Sequence, residues 1–285
     1  MSTPRTPPRL LRVIRTVDLS PQMRRITLGG PAMAGFPLGM DGSHIKLMLP
    51  QAHQNEPMLP TLGPNGPVWP PADQRPITRT YSVSRYHPES GELDVDFVLH
   101  GDSGPASAWA LRAQPGDAIG VAGPAGPALF QPGAPWYLLI GDPSSLALLT
   151  AVLRALSADA QGEVLIEVPD EGEIQALAHP AGMRLRWLVR HGAPAGESRL
   201  LLDAVAALPW PATPSVTLAG ESAQVVAIRD FLLQQRQLPR RQLYAVPYWR
   251  DCYTEEAYHL ERHRIMDELD AVPNQVPETV TTEPT

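Results

Sequence analysis

Through the first 125 residues, apolar positions come in short runs that alternate with polar ones. Glu92-Leu93-Asp94-Val95-Asp96-Phe97-Val98-Leu99 is the clearest case, with the two-residue period of a strand that buries one face. RLLRVIRTVDL, MRRITLGG, SHIKLMLP, TRTYSVSRY and AIGVAG read similarly, with Pro, Gly, Asn and Asp between them. One helix-like insert, SAWALRAQ at 107–114, interrupts the series, and residues 50–76 read as a proline-rich connection with no element of its own. Short strands with frequent turn signals predict an antiparallel β-barrel or sandwich.

From Trp136 the period changes. WYLLIGD, EVLIEV, RLRWLVR, SVTLAG and QLYAVPYW read as strands. Between them SSLALLTAVLRALSA, EIQALA, RLLLDAVAAL and SAQVVAIRDFLLQQR read as helices. That alternation predicts a doubly wound parallel α/β sheet. A last helix, EEAYHLERHRIMDEL, precedes a polar tail from Ala271 that is expected to be disordered. The expected fold is therefore two-domain: an antiparallel β-barrel over 1–132, an α/β doubly wound parallel sheet over 133–250, and a C-terminal helix and tail over 251–285. The cleft between two such domains is the expected ligand site.

Charge and composition narrow the partners. A formal net charge of −7 argues against nucleic acid as a partner. It leaves room for a local basic pocket. Cys252 is the only cysteine, which excludes an intrachain disulfide and a cysteine-based zinc or iron–sulfur site. The first twenty residues lack the apolar centre of a signal peptide, and no run has the length of a membrane span. A cytoplasmic location is expected. Arginine has displaced lysine everywhere except at Lys46, so that residue is either a chance survivor or a place where a compact ammonium is needed.

The segment RPITRTYSVSR, 75–85, concentrates the chemistry. Strand periodicity predicts Arg79, Tyr81, Val83 and Arg85 on one face, with Ser82 and Ser84 on the other. An arginine clamps phosphate in a fork and a tyrosine lies against a flat heterocycle. Downstream, DFVLHGDSGPASAWALRA ends a strand at His100-Gly101 and passes through a loop of small residues into a helix. Small residues and a helix N-terminus suit an anion, and Ser107 is an acceptable N-cap there. Together the two segments form a plausible pyrophosphate cradle. Elsewhere, HLERH lacks the order of a zinc-protease motif, and no nucleophile elbow, Walker motif or convincing acid–base pair is present.

The order R-x-Y-S-x-R, DFVLHG, GPAS-x-WA, PGD and GP-x-G, followed by GD at 141–142, IEV at 166–168, AGE at 219–221 and YWR at 248–250, resembles the siderophore-interacting proteins. These are FAD-containing ferric-siderophore reductases of the ferredoxin–NADP reductase superfamily. The resemblance implies a cofactor site made by Arg79, Tyr81, Ser82, Arg85, Val98, His100, Gly101, Ala106 and Ser107. It also implies Asp142 and Ser144 where a nicotinamide docks, and Lys46 and Arg250 for an anionic siderophore. Three positions depart from the family pattern: Pro143 in Gly-Asp-Pro-Ser, Ala125 in place of an arginine in GP-x-G, and Asp251 after YWR. The implied activity carries electrons from NAD(P)H, or from a ferredoxin, through FAD to a ferric siderophore, with no catalytic acid or base and no metal ligand among the side chains. Two alternatives stand beside it: a flavin-dependent NAD(P)H oxidoreductase with another acceptor, and a non-catalytic siderophore or nucleotide binder.

Overall fold

A computed structural model describes residues 6–64, 66–102, 104–254, 257–258, 261–262 and 264–267. The first half forms β1 (Arg9–Ser20), β2 (Met23–Gly29), β3 (His44–Leu49), β4 (Thr61–Gly63), β5 (Gly66–Val68), β6 (Ile77–Ser82), β7 (Arg85–His87), β8 (Glu92–Val98) and β9 (Ala118–Ala125). Seven of these make one antiparallel sheet in the order β6-β3-β9-β1-β2-β8-β7. Its two edges, β6 and β7, are one stretch of chain bent at Val83-Ser84. The Val83 amide donates to Ser43 O at 2.9 Å beside β3, and the Ser84 amide donates to Asp94 O at 2.9 Å on β8. The sheet thereby closes into a barrel, which removes its open edges.

Alternation fills the barrel as expected. Leu93, Val95 and Phe97 are fully buried, together with Leu11, Ile26, Leu28, Ile45, Leu47, Ile119 and Val121. Asp94 and Asp96 point to the other side and tie strands together. Asp94 accepts from Thr27 Oγ1 at 2.7 Å, and Asp96 takes the Arg25 fork at 2.7 and 2.8 Å. Helix α1 (Pro105–Arg112) closes one end with Ala106 and Ala110 in the core. The proline-rich connection is less irregular than its composition suggests, because β4 and β5 pair as a small hairpin.

The second half forms β10 (Tyr137–Gly141), α2 (Leu146–Ala155), β11 (Gln161–Val168), β12 (Gly182–Val189), α3 (Leu200–Ala207), β13 (Ser215–Glu221), α4 (Ser222–Asp230) and β14 (Leu243–Trp249). Its strands are all parallel in the order β12-β11-β10-β13-β14. The order reverses between β10 and β13, the switch point where such sheets open a crevice. Every residue of β10 is buried, as expected for a strand covered on both faces. The predicted helix EIQALA is absent. A 3-10 turn at Glu171–Glu173 gives way to extended chain, because Glu173 is drawn inward to accept from Ser20 Oγ at 2.5 Å and Gln22 N at 2.9 Å. Tertiary contacts here override local preference. Beyond Thr254 the described residues are helical, and Tyr258 and Ile265 pack with Val226 of α4. The tail from Ala271 lies outside the described residues.

One apolar seam joins the two halves. Met23, Leu19 and Val98 of the barrel pack with Tyr137, Leu139 and the α2 residues Leu148, Leu149 and Val152. Arg154 of α2 donates to Ser84 O at 2.5 Å and lies 3.4 Å from Asp41, gripping the bend that closes the barrel. Gly42 lies under α2 with φ at +81°, and a Cβ there would come within 2.6 Å of Leu129 Cδ1 and 3.0 Å of Ala151 Cβ. Gly42→Ala should therefore lower stability to denaturant by about 1–3 kcal/mol. An unchanged midpoint would mean that the seam yields at no cost.

Candidate functional site

Strand β6 carries the predicted site into the space between the two halves. In its register with β3, Arg79 faces Leu47, Thr80 faces Lys46, Tyr81 faces Ile45 and Ser82 faces His44. Lys46 Nζ donates to Thr80 Oγ1 at 2.5 Å, which holds the one lysine along this strand pair. The Tyr81 ring lies 4.5 Å from Phe97, which in turn lies 5.7 Å from Trp109 of α1. Aromatic packing thus fixes Tyr81 against the barrel core and links it to α1.

The expected common face does not extend to Arg85. The bend at Val83-Ser84 breaks the alternation, so Val83 is fully buried while Arg85 is exposed at the start of β7. Ser82 and Ser84 also separate in role. Ser84 Oγ accepts from Arg25 at 2.9 Å and donates to Asp96 at 2.8 Å, holding the bend. Ser82 faces the seam.

The loop after β8 forms a cradle beside this strand. His100 and Gly101 are exposed, and Gly101 has φ at +82°. A Cβ on Gly104 would come within 2.6 Å of the His100 ring, so a larger residue there would push that exposed side chain aside. Ser107 is not the N-cap, a position that Gly104 takes. Instead its hydroxyl donates to Gly101 O at 2.6 Å and accepts from His100 N at 3.0 Å, folding the loop back on the helix. Among the described residues no side chain caps α1, and Pro105 occupies its first turn. Its leading amides are left open toward the loop, as an anion site requires. An aromatic ring, a hydroxyl, the Arg79 guanidinium and an uncapped helix N-terminus suit the ring and diphosphate of a flavin dinucleotide. Val98 is different, since its side chain packs into the seam.

Asp142 and Ser144, expected at the nicotinamide, are bonded inward. Asp142 is buried at the end of β10 and accepts from Ser144 N at 2.8 Å, Ser144 Oγ at 2.5 Å, Glu221 N at 2.8 Å and Trp249 Nε1 at 2.8 Å. Burial pushes its carboxyl up, against the hydrogen bonds from Ser144, Trp249 and Glu221. Glu221 caps α4 by accepting from Gln224 N at 3.0 Å. Both helical starts at the switch point are thus capped by their own carboxylates, and α1 offers the open one. Glu167 is buried nearby, accepting from Ser198 Oγ at 2.6 Å and Gln224 Nε2 at 3.0 Å, and burial pushes its carboxyl up as well. The open space at this edge of the sheet is a cleft of about 340 Å³ whose lining includes Gly196, Ser198, Arg199 and Gln224.

At the end of β14, Arg250 is paired with Glu261, and its guanidinium lies 4.6 Å from the Tyr253 ring centre. Asp251 accepts from Gly196 N at 3.1 Å, so its charge is taken up by the α/β half. Tyr258 is buried against α4 rather than facing the barrel strand. Two residues were not anticipated from sequence. Tyr248 places its hydroxyl 3.3 Å from Ser82 Oγ across the seam, and Trp249 holds Asp142. The YWR motif contained both, but strand alternation alone does not say which side chain reaches the other domain.

Known proteins resemble this chain over both of its halves. A profile for the siderophore-interacting FAD-binding domain matches residues 12–128, and one for siderophore-interacting protein matches residues 134–252. The ferric vibriobactin reductase ViuB of Vibrio cholerae serotype O1 is 38% identical over 265 residues, which cover 92% of this chain and 96% of that protein. The NADPH-dependent ferric-chelate reductase of Escherichia coli K12 is 33% identical, over 87% of this chain and 98% of that one. Among solved structures, the siderophore-interacting protein SipS from Aeromonas hydrophila superimposes with a TM-score of 0.81 at 39% identity, covering 93% of this chain and all of that one.

Replacing Asp142 by alanine leaves the Trp249 indole and the amides of Ser144 and Glu221 without their acceptor. Asp142→Ala should cost about 2–4 kcal/mol in denaturant unfolding and alter Trp249 fluorescence in the folded state. Wild-type stability with unchanged fluorescence would contradict the role assigned to this carboxylate.

Proposed function

The chain belongs to the siderophore-interacting protein family, and from that premise we propose how its residues serve a ferric-siderophore reductase. The enzyme is an FAD-dependent oxidoreductase that passes electrons from NAD(P)H to a ferric siderophore and releases ferrous iron. The observation that carries this reading is that Tyr81, set between Arg79 and Ser82 on β6, packs through Phe97 to Trp109 of α1, on a barrel whose sequence matches an FAD-binding domain. FAD, when bound, supplies exchange between a two-electron donor and a one-electron ferric acceptor.

The chain's own residues bind and orient. Arg79 and the leading amides of α1 hold the diphosphate, with His100, Gly101, Ala106 and Ser107 shaping the loop around it. Tyr81 and Ser82 lie at the ring. Hard oxygen ligands hold Fe³⁺ far more tightly than Fe²⁺, so reduction loosens the chelate without breaking it. No side chain needs to move a proton to the iron or ligate it. What the acceptor needs is to be held near the ring, and Lys46, exposed two residues along β3 from His44, supplies a positive charge there. Arg250 contributes less of its charge because Glu261 shares it. The donor is assigned to the cleft at the end of the parallel sheet, with ferredoxin as an alternative that would dock there instead. A nicotinamide donor fits a cytoplasmic setting, and among the described residues no helix is long and apolar enough to cross a membrane.

One observation favours a second reading. With Arg250 paired to Glu261 and alanine at position 125, positive charge at the mouth is reduced, which suits a less anionic chelate or another electron acceptor. Lys46→Ala separates the readings. It should raise the Michaelis constant for an anionic ferric chelate about fivefold, the value of one exposed charge contact near 1 kcal/mol, and leave reduction by NAD(P)H unchanged. If reduction by NAD(P)H slows while the chelate constant holds, Lys46 belongs to the cofactor or donor site.

A further inference from the structure

The turn that lines the cleft at the end of the parallel sheet is held from three parts of the chain. Ala195–Glu197 form a single 3-10 turn between β12 and α3. Gly196, Glu197, Ser198 and Arg199 line the cleft together with Ala223 and Ala227 of α4. The bonds of the turn itself are long: the Glu197 amide donates to Pro194 O at 3.3 Å and the Ser198 amide to Ala195 O at 3.2 Å. So short a turn takes its shape from the groups it is fastened to.

Those groups come in chain order along the turn. Gln224 Nε2 donates to Ala195 O at 2.8 Å and to Glu167 Oε1 at 3.0 Å. The Gly196 amide donates to Asp251 Oδ2 at 3.1 Å, and Ser198 Oγ donates to Glu167 Oε2 at 2.6 Å. Glu167 belongs to β11 and Gln224 to the first turn of α4, and both are buried. Asp251 is different. It lies just past β14 and is one of the three departures from the family pattern. Its own amide donates to Glu221 Oε1 at 3.3 Å, while Glu221 Oε2 caps α4. The carboxylate that starts α4 thus anchors Asp251, and Asp251 reaches on to the turn. A Cβ on Gly196 would lie 3.2 Å from Asp251 Cβ, so the turn rests against this residue.

We propose that Asp251 is a positioning residue for the electron donor. By accepting from the Gly196 amide, it fixes the Ala195–Glu197 turn as a wall of the cleft in the shape that receives a nicotinamide dinucleotide. This rests on the placement of the donor in that cleft. The carboxylate acts as a hydrogen-bond acceptor toward the turn, not as a charge toward the dinucleotide, whose phosphates it would repel. An amide of the same shape also offers an acceptor oxygen and can take its place.

The test uses the full-length, FAD-loaded protein and its Asp251→Ala, Asp251→Asn and Ala223→Trp variants. The readouts are calorimetric titration with NADP⁺ and with NAD⁺, amide hydrogen exchange over residues 195–199, and re-oxidation of the dithionite-reduced protein by a ferric chelate. Asp251→Ala should weaken binding of whichever dinucleotide the parent holds more tightly by about tenfold, as for one lost hydrogen bond to a charged group. Exchange over 195–199 should quicken, and re-oxidation by the chelate should keep its rate. Asp251→Asn should stay close to the parent in all three, and Ala223→Trp, which fills the cleft, should weaken binding. If Ala223→Trp weakens binding and Asp251→Ala does not, the role of Asp251 is overturned while the donor placement stands. If neither weakens it, or the parent binds neither dinucleotide, the donor is not in this cleft and both fall. Asp251→Asn behaving like Asp251→Ala would mean that charge is what matters, and would overturn the positioning role. So would slowed re-oxidation in Asp251→Ala, which would mark a disturbance of the whole molecule.

Discussion

The structure depends on a bend of two residues. At Val83-Ser84 one strand leaves β3 and joins β8, and this turns an open antiparallel sheet into a closed barrel. Val83 is fully buried at the corner, Ser84 is bonded to Arg25 and Asp96, and Arg154 of the other domain donates to the Ser84 carbonyl. Barrel closure and domain docking are therefore fixed at the same place. Ser82, two residues before Ser84 and part of the proposed cofactor site, is positioned by both. A site assembled from two domains needs their docking to be as well defined as either core, and the apolar seam from Met23 to Leu149 together with these polar grips provides that.

Electrostatics sort the ligands. The protein is acidic overall, yet the acidic groups at the switch point are turned inward. Asp142 and Glu221 cap the helical starts that a parallel sheet usually offers to phosphates, and Glu167 is taken up by Ser198 and Gln224. On the barrel side, by contrast, Arg79 and Lys46 stand on the paired strands β6 and β3, and among the described residues no side chain caps α1. The proposed anion site accordingly lies on the barrel side of the cleft. The same sorting explains Asp251, whose carboxylate is bonded to the Gly196 amide and adds little repulsion where a chelate would approach.

Much of this was legible in the sequence, for reasons that can be named. The strands of the barrel were readable because each buries one face, and the parallel sheet was readable because strand-like and helix-like runs alternate with short connections. EIQALA failed as a helix because Glu173 answers to Ser20 and Gln22, residues about 150 positions away in the chain. Arg85 was placed with Arg79 because alternation assumes a straight strand, and the corner at Val83-Ser84 is set by hydrogen bonds to distant strands. Asp142 was found, but its direction was not, since its donors come from Glu221 and Trp249 on separate strands. Tyr248 escaped notice for the same reason. Local pattern names the strand that a residue occupies, and only the docked domains say what its tip meets.

The central claim is that this protein carries electrons through a flavin to a ferric chelate. An anaerobic absorbance spectrum tests it most directly, recorded on the FAD-reconstituted protein before and after NAD(P)H, then after a ferric siderophore with a ferrous chelator present. The account predicts flavin bands that bleach with the donor and return with the ferric chelate, while ferrous iron accumulates in the trap. Bands that bleach and stay bleached when the ferric chelate is added, or a protein that takes up no FAD, would contradict it.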